Sequence, residues 1–126
     1  MKRVVIDPAA LLTWFGTDGP RRSLRAAYES GTLTVIAPRH LVADVLGELA
    51  GRTSHPPDRL ARIADELQRL GIQQQDPPPA ELASWLAKGL DARRASYAAL
   101  AASLELPLAA ADPELRRVAS DLLLHE

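Results

Sequence analysis

Cysteine is absent from this chain, which excludes disulfides and thiolate metal sites and fits a reducing compartment. Histidine is scarce as well: His40, His55 and His125 are scattered without the spacing of a zinc site. Aromatics make up only 4% of the residues, so Trp14, Phe15, Trp85 and Tyr97 read as core or dimer contacts rather than base-stacking platforms. Neither sign of charge dominates. The 15 basic and 16 acidic residues give a net charge of -1, so no global field draws the chain to nucleic acid, and only a local basic groove could do so. Long apolar runs are missing too. None reaches the roughly 18 residues of a membrane span, and Asp7 interrupts the apolar run after Met1-Lys2-Arg3 too early for a signal peptide. A cytoplasmic protein with no membrane partner is the resulting expectation.

Several motifs of known chemistry are also lacking. No GxxxxGK[ST] phosphate loop or GxGxxG fingerprint occurs, which argues against nucleotide cofactors. No local Ser/His/Asp or Cys/His pattern is recognisable. A phosphoacceptor receiver domain needs an acidic pair after its first strand and a lysine after a late one. Lys2 and Lys88 are the only lysines, and neither is so placed.

What remains is enough for one compact domain over residues 1–126. A chain of this length, 47% hydrophobic, buries roughly two thirds of its unfolded surface. Arg3 to Ile6 is a β-branched run suited to a buried strand, and it ends in a carboxylate, Asp7. In open α/β sheets, ligands collect at the C-terminal edges of the strands. Asp7-Pro8 then starts a helix to about Phe15, with Asp as N-cap and Pro in the first turn.

Further helices are expected over Arg21 to Ser30, from Leu41 to Gly51, from Pro57 to Gly71, over Ala80 to Leu90, over Ala92 to Leu104 and over Pro113 to Ser120. Leu82, Trp85 and Leu86 are expected on one buried face. Ala95, Ala98, Ala99 and Ala102 allow a close approach to a sheet or a neighbouring helix. Strands are expected at Thr32 to Ala37, Ile72 to Gln75, Leu106 to Ala110 and Leu122 to Leu124. The alternation implies right-handed crossovers and a mostly parallel sheet covered on both faces. The stripes and the alanine-rich helix also suggest a homodimer.

Four segments carry a family resemblance: Val4-Val5-Ile6-Asp7; Ala37-Pro38 through Asp44-Val45; Leu90-Asp91-Ala92-Arg93-Arg94-Ala95-Ser96-Tyr97 through Ala101; and Pro107-Leu108-Ala109-Ala110-Ala111-Asp112. Together they resemble the signature segments of PIN domains, in particular the small VapC-like toxins of prokaryotic toxin-antitoxin pairs. The resemblance spans nearly the whole chain, in order and at fitting spacing. It implies a three-layer α/β/α sandwich around a central, mostly parallel five-stranded sheet. It also implies an acidic cluster holding Mg²⁺ or Mn²⁺ for endoribonuclease chemistry, a small antitoxin partner and a homodimer. Hard cations choose carboxylate oxygens, and such a metal polarises the phosphodiester and activates water.

Carried over by position, Asp7, Asp44 and Asp112 are the catalytic and metal-binding residues the resemblance implies. Asp44 stands where the family usually has glutamate, a reach shorter by roughly 1.5 Å on bond-length grounds. Ala110 fills a threonine place, and Ala9 a place often taken by Ser or Asn. At the third acidic position the sequence has Arg94, in Arg94-Ala95-Ser96-Tyr97. An arginine there stays protonated and can replace the charge of a divalent ion. In VapC-like systems the antitoxin inserts an arginine among these carboxylates, so Arg94 reads as a built-in counterpart of that plug, with Asp91 as a cap or a substitute ligand.

Each of these residues also has a plainer reading. Asp7 and Asp112 are N-caps before proline, Asp44 is a solvated helix charge, and Arg93-Arg94 is a solvated pair. Arg21, Arg22, Arg25, Arg39 and Arg52 could line an RNA-binding rim, although 13 Arg against two Lys also fits genomic base composition. Two functions follow from the residues. One is a metal-dependent ribonuclease, slow or conditional because its cluster is incomplete. The other is a catalytically degenerate PIN-like module that binds RNA or a protein partner.

Overall fold

The computed structural model describes residues 2–15, 22–52 and 57–124. Four parallel strands form its sheet: β1 (Lys2–Ile6), β2 (Leu33–Ala37), β3 (Gln73–Gln74) and β4 (Leu108–Ala109), in the spatial order β3-β2-β1-β4. β1 is central because it can be buried on both faces. Val4, Val5 and Ile6 are inaccessible to solvent, as expected of a strand covered by helices on either side. Val5 stands opposite Ile36 on one neighbour and Leu108 on the other.

Helices connect and flank the strands: α1 (Pro8–Leu12), α2 (Arg22–Glu29), α3 (Leu41–Arg52), α4 (Pro57–Arg69), α5 (Pro79–Ala87), α6 (Ala92–Leu104) and α7 (Pro113–Val118). α6 lies against β1 and β4, and α2 against β2; α5 packs on α6, and α4 on α3. The alanines explain the placement of α6. Ala95, Ala98, Ala99 and Ala101 are fully buried, and side chains this small let the helix axis approach the sheet closely. The stripes expected on α3 and α4 face inward through Leu41, Val45, Ile63 and Leu67. α2 stops at Gly31, whose φ of 81° suits a residue without Cβ.

The sheet differs from the expected five strands. Ser120–Leu122 is a 3₁₀ turn, Leu123 makes only an isolated parallel bridge to Leu108, and the Leu124 amide donates to the Leu108 carbonyl at 2.9 Å. β4 is two residues long, so it offers a fifth segment almost no ladder to extend. β3 is short for another reason. After Gln75, whose amide reaches the Ala37 carbonyl at 3.0 Å, the run Asp76-Pro77-Pro78-Pro79 has no proline N–H to continue the pairing. The first helix is also shorter than expected, because Thr13–Phe15 tightens into a 3₁₀ turn. On α5, Trp85 is buried but Leu86 is 41% exposed, which corrects the expectation that both face inward.

Candidate functional site

Because β1, β2 and β4 run parallel, Asp7, the Pro38-Arg39-His40 turn and the segment from Ala110 to Asp112 emerge at the same edge of the sheet. Each is followed by a helix. Asp7 and Asp112 do act as N-caps, as their sequence context implies: Asp7 Oδ1 accepts the Ala10 amide at 2.7 Å, and Asp112 Oδ2 accepts the Leu115 amide at 3.0 Å. Capping accounts for only part of their bonding. Asp7 Oδ2 also accepts the amides of Ala111 at 3.1 Å and Asp112 at 3.0 Å, so one carboxylate ties the start of α1 to the start of α7. Asp7 is fully buried. Burial pushes its carboxyl above the usual carboxylate range, against the opposing pull of the Asp112, Ala10 and Ala111 amides, and the nearby Asp112 charge adds to the rise.

Arg94 occupies the mouth of this arrangement. Its Nε donates to Asp112 Oδ2 at 2.9 Å and its Nη1 donates to Asp91 Oδ2 at 2.6 Å. Asp91 is the N-cap of α6, accepting the Arg94 amide through Oδ1 at 2.8 Å, so it stays at the surface and engages Arg94 twice. Only 27% of the Arg94 side chain is exposed, so the solvated-pair reading does not hold for it. Burial of Asp112 opposes its ionisation, but the Arg94 hydrogen bond and the Leu115 amide outweigh it and hold the carboxyl below the usual range. The same hydrogen bond raises the Arg94 guanidinium beyond its already high value.

Asp44 is not the solvated charge that its place in a helix suggests, since only 8% of the residue is exposed. Its Oδ2 accepts the Tyr97 hydroxyl at 2.8 Å and is hydrogen-bonded to His40 Nδ1. The His40 ring stands edge-on to Tyr97, with centroids 5.6 Å apart. Burial, followed by the charge of Asp44, pushes the Tyr97 phenol far above its ordinary value, so it remains a donor.

Tyr97 and His40 are therefore site residues, although the tyrosine reads as core and the histidine as isolated. The signal for His40 is its i, i+4 spacing to Asp44, with His40 just before α3 and Asp44 in its first turn. Tyr97 also lines a crevice of about 10 Å³ with Arg93, Arg94, Asp112, Pro8 and Ala9. That volume is close to what a single water needs.

The donor set can be tested against a divalent cation. Mg²⁺ keeps several of its waters and is held through one or two carboxylates that must be free to turn toward it. Here the Asp7 oxygens are occupied by three amides, Asp112 Oδ2 by Arg94 and Leu115, and Asp44 Oδ2 by Tyr97 and His40. Among the described residues no group of three His, Cys, Asp or Glu side chains is placed to hold a metal ion. The expected ligands share one sheet edge, but in this arrangement they do not fit the metal.

The arginine rim is only partly visible. Arg25 pairs with Glu29 at 2.8 Å along α2, and Arg39 approaches Asp76 at 3.6 Å. Arg21, His55, His125 and the side chains of Phe15, Arg22 and Arg52 lie outside the described residues. Arg116, a cation of α7, donates through Nη1 to the Ala110 carbonyl at 2.8 Å. Trp14 packs in the core against Tyr28, and Trp85 lies beneath Lys88 Nζ at 3.9 Å.

No family model matches this chain, and no curated protein matches it significantly. Among solved structures, it is similar to the crystal structure of PAE2754 from Pyrobaculum aerophilum, with a TM-score of 0.63 and 21% identity over 93% of this chain and 84% of that one. At that identity the likeness establishes a shared α/β fold. No helix among the described residues is long and apolar enough to cross a membrane.

Proposed function

We propose that this chain is a PIN-like, VapC-type module in which Arg94 takes the place of the charge that Mg²⁺ or Mn²⁺ supplies in relatives, and that it binds RNA without metal-dependent cutting. The carrying observation is the contact of Arg94 Nε with Asp112 Oδ2 at 2.9 Å, backed by the second bond to Asp91. A guanidinium in this position neutralises the carboxylates permanently, since it does not lose its proton. Arg93, which is exposed beside Arg94, and the Arg39 and Arg116 guanidiniums supply cations near the same edge, where a phosphate backbone would lie. A small antitoxin and a second copy of the chain are the protein partners the resemblance implies.

A second reading keeps the metal-dependent endoribonuclease. The survival of Asp7, Asp44 and Asp112 favours it, since displacing Arg94 frees Asp112 Oδ2. The two separate in one experiment on purified protein with a fluorescent oligoribonucleotide, in EDTA and in Mg²⁺ or Mn²⁺. Binding that is indifferent to metal, falls steeply with salt and weakens on Arg93→Glu is the expected result. Absence of RNA binding overturns the proposal. Metal-stimulated cutting that Asp7→Asn abolishes replaces it with the ribonuclease.

A further inference from the structure

Glu105 stands where its side chain works against the fold. α6 ends at Leu104, and Glu105 turns the chain with a φ of 55° and a ψ of 43°. Its amide then reaches the Ala102 carbonyl at 3.2 Å, and the Leu106 amide reaches the Ala101 carbonyl at 3.0 Å. Glycine fills such a left-handed helix cap with least strain, because a Cβ is disfavoured there. Among the described residues Glu105 is the one non-glycine residue with a positive φ. Its charge is misplaced as well. A carboxylate at a helix C-terminus opposes the macrodipole, and the last turn of α6 holds no basic residue to offset it. The Glu105 carboxylate has no hydrogen-bond or ion-pair partner among the described residues.

This residue borders a groove of about 430 Å³. Leu106 and Pro107, which lead into β4, and Leu122 and Leu123 near the C-terminus line it with half-buried apolar side chains. Asp121 adds a second exposed carboxylate, also without a partner among the described residues. No described lysine or arginine lines the groove. Its volume lies in the range of ligand-binding clefts, roughly 300–1,000 Å³. Because β4 runs parallel to β1, the residues that precede β4 lie at the opposite edge of the sheet from Asp7.

An occupant of this groove must bring apolar surface and positive charge together. RNA brings phosphates, which the two carboxylates repel. A second copy docked by twofold symmetry brings the same two carboxylates. A peptide segment that alternates apolar and basic side chains meets both demands, laying the first on the leucines and the second beside Glu105 and Asp121.

We propose that this groove docks a partner protein through a short segment in which arginine or lysine alternates with apolar side chains, and that Glu105 serves this contact although it weakens the α6 cap. The groove and the Arg94 edge lie at opposite ends of α6, so the inference does not depend on the RNA-binding reading.

Fluorescein-labelled LRVRL and LKLKL peptides, blocked at both ends, are titrated into the full chain beside the acidic twin LDVDL. Anisotropy reports binding, and amide shifts of the isotope-labelled protein locate it. The expected result is binding of both basic peptides and not of the twin, with shifts at Leu106, Leu122 and Leu123. Glu105→Gln combined with Asp121→Asn is expected to bind about tenfold more weakly.

Glu105→Gly separates the proposal from a plainly solvated charge. The variant is expected to melt about 4 °C higher than the wild-type chain and to bind the basic peptides more weakly. A gain in stability with unchanged binding overturns the inference. So do failure of both basic peptides to bind, equal binding of the acidic twin, shifts confined to Asp7, Arg94 and Asp112, or a dimer in sedimentation that Asp121→Lys breaks.

Discussion

Arg94 and Asp112, 18 residues apart in the chain, meet at 2.9 Å where α6 and α7 begin, and this pair closes the carboxylate edge of the sheet. The aspartate is nearly buried and the guanidinium is shared with Asp91, so the contact is both structural and electrostatic. Its two consequences, for stability and for metal affinity, are separately measurable.

Replacing Arg94 with Met retains much of the aliphatic stem and removes the donors. Asp112 then keeps the Leu115 amide and loses its charged partner. A partly buried charge left without its ion partner costs about 1–3 kcal/mol. Urea denaturation of the wild-type chain beside Arg94→Met checks this, with the variant less stable at neutral pH.

Acidification adds a signature. Asp112 and Asp91 have carboxyls held low in the folded chain, so their contribution is complete above the unfolded value of about 3.9 and is lost as pH falls through their depressed folded values. Asp7 has the opposite sign: its carboxyl is raised by burial, so its ionisation costs stability as pH climbs from about 3.9 through the folded value. Removing Arg94 weakens the first effect and leaves the second. The stability of Arg94→Met is therefore expected to fall less on acidification below about pH 4 than that of the wild-type chain, as denaturation midpoints at a series of pH values can show.

Tyr97 and Asp44 form a buried pair 53 residues apart in sequence. Tyr97→Phe keeps the ring and strips one hydrogen bond from a carboxylate out of water. The expected loss is about 1–3 kcal/mol. Equilibrium unfolding that shows no change contradicts the pairing.

On α5 the neighbours Trp85 and Leu86 behave oppositely. Trp85 is 7% exposed and Leu86 41%. Trp85→Ala is expected to cost about 3–5 kcal/mol, and Leu86→Glu to stay within about 0.5 kcal/mol. Thermal melts of the two variants separate these outcomes.

The fold was largely readable from local patterns. Val4-Val5-Ile6 announced a strand buried on both faces, the apolar stripes of α3 and α4 announced their inward sides, and Asp-Pro pairs announced two capped helices. Strand lengths were not readable, since they depend on partners. Leu122 to Leu124 have strand character, but β4 is too short to receive them as more than a bridge.

At the site, strand ends marked Asp7 and Asp112, whereas Arg94 was placed beside them only by the family resemblance, since the plain reading of the residues made it a solvated charge. The burial of Asp44 was not legible, because the residue that covers it, Tyr97, lies on a different helix. His40 was overlooked because it was weighed against the other histidines as a metal ligand. Its informative neighbour was the aspartate one helical turn away.

Arg94 is proposed to stand where a divalent cation would otherwise sit among these carboxylates. Titrating Mn²⁺ into the wild-type chain and into Arg94→Asp, with binding followed by the loss of the free-ion EPR signal, tests it most directly. No binding by the wild-type chain and clear binding by Arg94→Asp are expected, with binding reduced again when Asp7→Asn is added. Mn²⁺ binding by the wild-type chain as tight as that of Arg94→Asp contradicts it.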